Sequence, residues 1–351
     1  MGRKSPLLIS RKRWQHRNYY MLLTTLLNRV EKGSQSMPDN TKKSELLPII
    51  VLGTGSITQK AYYPLLTQWE NIMIRGIYSR TEDHMQAALA RWNIPFGTTK
   101  IEEILQLDAK AAFLLTNKES HFDLAKTLLE NGMDVYLEKP FTETSQQALE
   151  LVNLAQKTKR IVMVGYNRRF ARLYRKAKEI MEGKPIQLAV IQKHRTHPHY
   201  PSLQEAYLED IIHQIDLMRF LCGEVIPIQT KYEMKDGILQ GAVSTVHLPN
   251  NGLGTLLTSH TAGAWQESAT LHGDQISVHV NAFRNLIIHQ HDHEEMYGAD
   301  RAGSWIPNLQ ERGFIPEIEH FLHCVRTREQ PSTDALEAYK TQLLYEQLIS
   351  G

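Results

Sequence analysis

One stretch in the middle of the chain carries the residue types of acid–base chemistry. In "LEDIIHQID", Glu209 and Asp210 stand four and three residues before His213, and Asp216 stands three residues after it. Side chains at these spacings share a helix face, so we expect the four to lie together. A histidine beside a carboxylate suits a general base for an alcohol, because its ordinary pKa is near neutral pH and the carboxylate orients the ring. The same spacing also fits a histidine with a purely structural role between two domains.

A second candidate is "YLEKPFTET", where Glu138, Lys139 and Pro140 end an apolar run. Open α/β sheets bind ligands beyond the carboxyl ends of their strands. A lysine at such an end can donate to a substrate oxygen and to a cofactor. Pro140 restricts the backbone of the residue before it and so fixes where Lys139 points. Taken alone, the stretch fits a surface lysine equally well.

A glycine turn precedes both groups in "VLGTGSITQK". In a dinucleotide-binding fold the first glycine makes the tight turn, the second admits the pyrophosphate, and the third only allows close packing of helix on strand. Gly53 and Gly55 hold the first two positions, and Thr58 holds the third. Because the turn follows a buried strand, we interpret it as a cofactor loop, although a plain strand-to-helix turn has the same pattern.

The end of the next strand bears on the choice of cofactor. An acidic residue there would bind the ribose 2′-hydroxyl of NAD, but the chain has "YSRTED", with Ser79 and Arg80 at the strand tip. A hydroxyl and a guanidinium suit a 2′-phosphate. The sequence therefore favours NADP over NAD, and NAD remains open.

The elements that must position these groups are of two kinds. From Leu46 to Asn167, apolar strands alternate with amphipathic helices, which predicts an α/β fold with a doubly wound parallel sheet. After Asn167 come one helix and several strand-like runs with an Asn250-Asn251-Gly252 hairpin turn, then two helices, which predicts an α+β domain with a mostly antiparallel open sheet. We expect a basic extension without stable structure over residues 1–47, a dinucleotide-binding domain over 48–167 and a substrate-binding and oligomerisation domain over 168–351.

Composition narrows the function classes. The formal net charge is +2 and no apolar run reaches membrane-spanning length, so we expect neither nucleic acid nor a membrane as partner. The basic start followed by "NYYMLLTTLL" resembles a signal peptide, but no small-residue cleavage site follows it. Cys222 and Cys324 are far apart, which fits a cytoplasmic protein without disulfides.

The chain resembles the Gfo/Idh/MocA family of NAD(P)-dependent oxidoreductases in the order of four features: the G-x-G turn, the E-K-P lysine, "GYNRRF" (165–170) and the histidine helix. Details such as "EDIIHQIDLMRFL" look most like its MviM-like branch. The resemblance runs from about Pro48 to the end and implies a Rossmann domain, metal-independent hydride transfer and a homodimer or homotetramer formed through the second sheet. It makes Lys139 and His213 catalytic, with Asp210 as the accompanying acid and Glu209 as the alternative.

The resemblance also implies which other residues bind ligands. The cofactor-binding set is Gly53, Gly55, Ser56, Ile57, Ser79, Arg80, Thr116, Asn117, His121, Glu138 and Lys139. The substrate-binding set is Lys139, Arg168, Arg195, Asp210 and His213. The chain departs from the family in one loop, where a threonine–proline pair is replaced by Thr116-Asn117-Lys118. That leaves the cofactor contacts of this loop open.

Two histidine groups have spacings that could hold a metal, "HRTHPHY" (His194, His197, His199) and "HQHDH" (289–293). Neither has a helical H-E-x-x-H arrangement, and we expect no metal. The first group and Arg195 are also candidates for contact with a polyhydroxylated substrate.

The combined hypothesis is hydride transfer between a nicotinamide cofactor and a sugar, cyclitol or related polyol. The alternative from another class is a sensor on the same fold that binds dinucleotide and performs no turnover. The presence of both Lys139 and His213 argues against that alternative.

Overall fold

The computed structural model describes residues 46–197, 200–298 and 307–350. Its first sheet is parallel throughout and has the order β3-β2-β1-β4-β5-β6. The strands are β1 (Leu47–Leu52), β2 (Ile72–Tyr78), β3 (Gly97–Thr98), β4 (Ala111–Leu114), β5 (Asp134–Glu138) and β6 (Val162–Gly165). From β1 the chain adds β2 and β3 on one side of the sheet and then adds β4, β5 and β6 on the other side. At such a switch point between β1 and β4, a crevice forms at the carboxyl ends of the strands.

Helices cover both faces of this sheet. They are α1 (Tyr63–Leu66) after a π-turn (Thr58–Tyr62), α2 (Glu82–Trp92), α3 (Ile101–Leu105), α4 (His121–Glu130) and α5 (Ser145–Thr158). Helix α5 begins at a capping box in which Thr144 and Gln147 satisfy each other's backbone N–H groups. Strands β1, β4 and β5 are almost wholly buried, as expected for a sheet covered on both sides.

The second sheet has the order β14-β13-β12-β11-β7-β10-β9-β8, and every neighbouring pair is antiparallel except β7 and β10. Its strands are β7 (Leu188–Thr196), β8 (Ile226–Lys235), β9 (Ile238–His247), β10 (Leu253–Ser259), β11 (Thr261–Gly273), β12 (Ile276–Asn281), β13 (Asn285–Gln290) and β14 (His293–Gly298). Asn250 and Asn251 both have positive φ in the turn between β9 and β10, as the hairpin prediction requires. The predicted fold class is confirmed for both sheets.

The remaining helices join the two sheets. They are α6 (Arg172–Met181), α7 (Leu203–Ala206), a π-turn (Tyr207–Ile211), α8 (Ile212–Cys222), α9 (Asn308–Glu311), α10 (Phe314–Thr327) and α11 (Ala335–Ser350). One hydrophobic cluster runs without a break from β1 through α5 and α8 to β12. Helix α10 returns to the parallel sheet, where Phe321 packs edge-on against Phe113 at 5.3 Å between ring centroids. The helices described are all too short or too polar to span a membrane.

Candidate active site

The glycine turn after β1 has the geometry of a phosphate-binding loop. Gly53 has φ +111°, and a Cβ there would lie 2.5 Å from the Leu115 carbonyl oxygen, so another residue would be strained and would clash. A Cβ on Gly55 would meet no atom within 4 Å, which leaves that side of the loop open to a ligand. The two positions therefore fit the two roles predicted for them.

Thr58 occupies the place of the third glycine and is completely buried. Its Oγ1 lies 3.5 Å from the carbonyl oxygen of Leu115, directly after β4. The π-turn Thr58–Tyr62 begins at this residue. The helix thus packs on the sheet with a threonine at the contact, which agrees with a packing role for this position.

Ser79 and Arg80 follow β2 and differ in their surroundings. Ser79 is buried, and its Oγ lies 3.0 Å from Oγ1 of Thr54, the residue between the two glycines. Arg80 is exposed and has no ion-pair or hydrogen-bond partner among the described residues. Its guanidinium donors are therefore available to a ligand.

The loop after β4 is tied to the E-K-P segment by His121. Its Nδ1 lies 2.7 Å from the Pro140 carbonyl oxygen and its Nε2 lies 3.1 Å from that of Thr116. Burial lowers the pKa of His121. Both partners are carbonyl oxygens, which only accept, so a neutral ring donates to one of the two. Asn117, next to Thr116, is exposed and donates to Glu119.

Glu138 is buried at the end of β5. Its Oε1 accepts from the Tyr62 hydroxyl at 2.6 Å, and its Oε2 accepts from the backbone N–H of Lys139 at 2.9 Å. Burial raises the pKa of Glu138. The peptide bond from Lys139 to Pro140 is cis. Glu138 therefore supports the backbone from which the Lys139 side chain extends.

Lys139 reaches the segment just before helix α8. Its Nζ donates to the backbone oxygen of Glu209 at 2.8 Å and lies 3.4 Å from Glu209 Oε2. Glu209 stands four residues before His213. The lysine from the parallel sheet thus contacts the segment that leads into the histidine helix.

His213 lies in a cationic, buried setting at the start of α8. Burial is the main cause that holds its pKa well below the ordinary value, and the charges of Arg168, Lys193 and Lys139 lower it further. The neutral ring is therefore the resting form at neutral pH, and it can accept a proton. The buried Nδ1 has no hydrogen-bond partner among the described residues.

Asp210 is buried between two cations. Its Oδ1 lies 2.7 Å from Lys193 Nζ, and its carboxylate also accepts from the Arg195 guanidinium. Burial acts to raise the pKa of Asp210, but Lys193 and Arg195 outweigh it and lower that pKa. Burial in turn lowers the pKa of Lys193 to about 8. Arg195 is thus engaged with Asp210 and keeps 37% of its side chain exposed.

The four acidic and basic residues of the predicted helix face do not form one cluster. Glu209 and Asp210 lie in the π-turn Tyr207–Ile211 rather than in α8, and neither hydrogen-bonds His213. Asp216 binds Arg169 through contacts of 2.6 to 3.0 Å and accepts from Thr341. The assignment of Asp210 or Glu209 as the partner of the histidine stays a prediction.

Arg168 is held by a carboxylate that the sequence analysis did not single out. Its Nε and one terminal nitrogen donate to the two oxygens of Glu267 at 3.0 and 2.9 Å. Glu267 and Lys193 stand opposite each other on β11 and β7. Lys193 was not singled out from the sequence either. The alternation of Ala189, Ile191 and Lys193 along β7 was the available signal for it, because that alternation puts the lysine on the buried face of the strand.

The histidine groups show no metal geometry in the described part of the chain, where no cluster of three or more His, Cys, Asp or Glu residues could hold an ion. Nε2 of His194 lies 3.1 Å from the Gln192 side-chain oxygen. His199 lies outside the described residues, as do residues 1–45 of the extension predicted for 1–47; Leu47 is the first residue of β1.

A glycine turn at the switch point of a parallel sheet is where doubly wound folds bind dinucleotides. Residues 47–166 match the family model described as "Oxidoreductase family, NAD-binding Rossmann fold". The protein YceM of Salmonella typhimurium is 29% identical over 306 residues, which cover 86% of this chain and 97% of that protein. Through residues 47–166 the chain matches the Gfo/Idh/MocA oxidoreductase family, and its similarity to YceM extends over most of its length.

Two further comparisons agree with that match. The scyllo-inositol 2-dehydrogenase (NAD(+)) of Bacillus subtilis is 23% identical over 248 residues, 65% of this chain and 71% of that protein. The crystal structure of the MviM dehydrogenase from Clostridium difficile superposes with a TM-score of 0.80 at 25% identity and covers 87% of this chain and 99% of that one.

Proposed function

We propose that this oxidoreductase transfers a hydride between a nicotinamide cofactor and a sugar, cyclitol or related polyol, and that Lys139 and His213 form its acid–base pair. The observation that carries the proposal is the contact of Lys139 with Glu209, four residues before His213. The proposal puts this lysine and the neutral His213 at the same substrate oxygen.

In this mechanism His213 takes the hydroxyl proton during oxidation and returns it during reduction. Its lowered pKa keeps the ring neutral and ready to accept. Lys139 donates an N–H to the same oxygen and stabilises the negative charge that develops there. When bound, the nicotinamide supplies or accepts the hydride. The pyrophosphate of the cofactor would be held at the start of the helix by Gly53, Gly55, Ser56 and Ile57.

We propose NADP(H) as the preferred cofactor. The support is Arg80, which is exposed and unpaired among the described residues and follows Ser79, the residue in contact with the glycine turn. Loss of a charge-assisted hydrogen bond costs about 1.5–3 kcal/mol, roughly ten- to hundredfold in Kd. We therefore expect Arg80→Ala to weaken NADPH binding by that factor and to leave NADH binding nearly unchanged. Tighter binding of NADH than NADPH by the unaltered protein would refute the preference.

The activity itself is tested by a screen of sugars, cyclitols and amino sugars with NAD(P)⁺, followed by absorbance of the reduced cofactor. With any substrate found, Lys139→Ala should abolish turnover and leave cofactor binding largely intact. Lys100→Ala is the matched control, because Lys100 is an exposed lysine whose ion-pair partner among the described residues is Glu103. Unchanged turnover in Lys139→Ala would remove the lysine from the mechanism.

We also propose a homo-oligomer that forms through the outer face of the second sheet. Leu188, Val243 and Leu253 are 41–49% exposed there. Leu188 and Leu253 are register partners on β7 and β10. An apolar surface of this kind is a typical subunit contact. Light scattering should give a mass of two or four chains, and Val243→Asp should lower it; a monomer would contradict the proposal.

A further inference from the structure

The loop in which this chain departs from its family carries a lysine that no assigned role explains. Lys118 follows β4 in the Thr116-Asn117-Lys118 segment, and only 10% of its side chain is exposed. A lysine is seldom this buried unless it is paired.

Lys118 connects the loop to the segment before the histidine helix. Its Nζ lies 3.0 Å from Glu205 Oε2 and 3.3 Å from Glu209 Oε1, and Glu119 of its own loop is 2.9 Å away. Glu205 is on α7 and Glu209 is in the π-turn that follows. The ammonium group therefore joins the parallel sheet to the segment that leads into His213.

Glu209 is shared between two lysines, one on each carboxylate oxygen. Oε1 faces Lys118, while Oε2 lies 3.4 Å from Lys139. Lys139 also donates at 2.8 Å to the backbone oxygen of Glu209. An ammonium group has three N–H donors. Two of those of Lys139 are directed to Glu209, one of them over a long distance, and the third remains for a substrate oxygen.

We propose that Lys118 is a positioning residue that holds the Glu209 carboxylate away from Lys139, so that the Lys139 ammonium stays available to substrate. The inference rests on the proposed function for the role of Lys139. Without Lys118, Glu209 has Lys139 as its remaining lysine partner. The carboxylate then closes on Lys139 and occupies the donor that the substrate needs. A lysine that only tied the loop to α7 would leave the surroundings of Lys139 unchanged.

The test measures Lys139 directly and does not require a substrate. The protein is labelled with limiting acetic anhydride, which reacts with the free amine, and modification of Lys139 is measured by mass spectrometry relative to the exposed Lys231. A closer carboxylate favours the unreactive ammonium form. We expect Lys118→Met to reduce Lys139 labelling about threefold or more, a change within the range of couplings between contacting residues.

Three further variants separate the positioning role from a structural one. Lys118→Arg keeps the charge and should restore labelling. Glu209→Gln should raise Lys139 labelling, and the Lys118→Met/Glu209→Gln double variant should match Glu209→Gln, because the closing carboxylate is gone. Lys176→Met, which removes the surface pair of Lys176 with Glu179, is the matched control and should have no effect.

Unchanged labelling in Lys118→Met, or reduced labelling that persists in the double variant, would overturn the proposal. If Lys118→Met does not fold, Glu209→Gln decides alone, since unchanged labelling there refutes control of Lys139 by that carboxylate. Turnover is a separate readout. Altered labelling with no activity on any polyol would contradict the proposed function and leave the positioning role standing.

Discussion

Asp210→Asn removes a buried negative charge that two cations hold near the site. Asp210 is buried against Lys193, which is 1% exposed, and against Arg195. Removing one partner of a buried ion pair costs about 3–5 kcal/mol, because the remaining charge is left unpaired. We expect a loss of that size at neutral pH, which corresponds to a fall in Tm of roughly 6–20 °C for a chain of a few hundred residues.

The arrangement predicts an asymmetry between the two partners. Lys193→Met leaves Asp210 with Arg195, so the carboxylate stays paired and the loss should be clearly smaller. The Lys193→Met/Asp210→Asn double variant should be more stable than Asp210→Asn alone, because the unpaired buried ammonium is gone. Thermal unfolding of the four proteins by circular dichroism measures both effects.

The pH dependence gives the prediction a second check. With Asp210 present, Lys193 has a pKa of about 8, below its ordinary value of 10.5, because burial disfavours the charged form. Near pH 9 the lysine of the folded protein is therefore mostly neutral, and its attraction to Asp210 is mostly lost already. The cost of Asp210→Asn should be smaller there than at neutral pH. An equal or larger cost near pH 9, or a loss no greater than that of Lys193→Met, would refute the reasoning.

Three other predictions concern the cofactor loop and the histidine. Gly53→Ala should destabilise the fold by several kcal/mol, as its positive φ and a clash with Leu115 require, whereas Gly55→Ala should leave Tm unchanged and weaken NADPH binding in a fluorescence titration. Thr58→Gly should cost about 1–2 kcal/mol without tightening cofactor binding, because it adds a helix glycine and removes a buried side chain; tighter binding would show that the third glycine is functionally missing. For His213, whose pKa lies well below 6.5, kcat/KM for oxidation should stay level as the pH falls through 6.5, and an acid limb centred at 6.5 would contradict the assignment.

The parallel sheet was predictable because its signals are local. Continuous apolar runs such as "PIIVL" and "AAFLL" become strands buried on both faces, and the amphipathic stretches between them become the covering helices. The glycine turn and Lys139 could then be placed by a general rule, since the carboxyl ends of parallel strands meet at one edge.

The carboxylates that hold the basic groups could not be placed in this way. Glu267 meets Arg168, and Glu205 meets Lys118, only through packing of elements distant in the chain. The return of α10 to the parallel sheet, with Phe321 against Phe113, likewise depends on tertiary contacts. Strand alternation places Lys193 on the buried face of β7, but it does not tell which acid lies above it.

The histidine helix shows why correct spacing gave an incomplete site. In a continuous α-helix, Glu209 and Asp210 would share a face with His213. The structure has a π-turn at Tyr207–Ile211, and its i→i+5 hydrogen bonds change the angle between successive side chains. Glu209 is thereby directed to Lys118 and Lys139, and Asp210 to Lys193 and Arg195. The two carboxylates pair with lysine and arginine side chains whose charges act on His213. His213 itself has a neutral ring and, among the described residues, no acidic residue in direct contact. Glu209 and Asp210 therefore have different partners, and their variants should separate: Glu209→Gln should act on the reactivity of Lys139, and Asp210→Asn on stability.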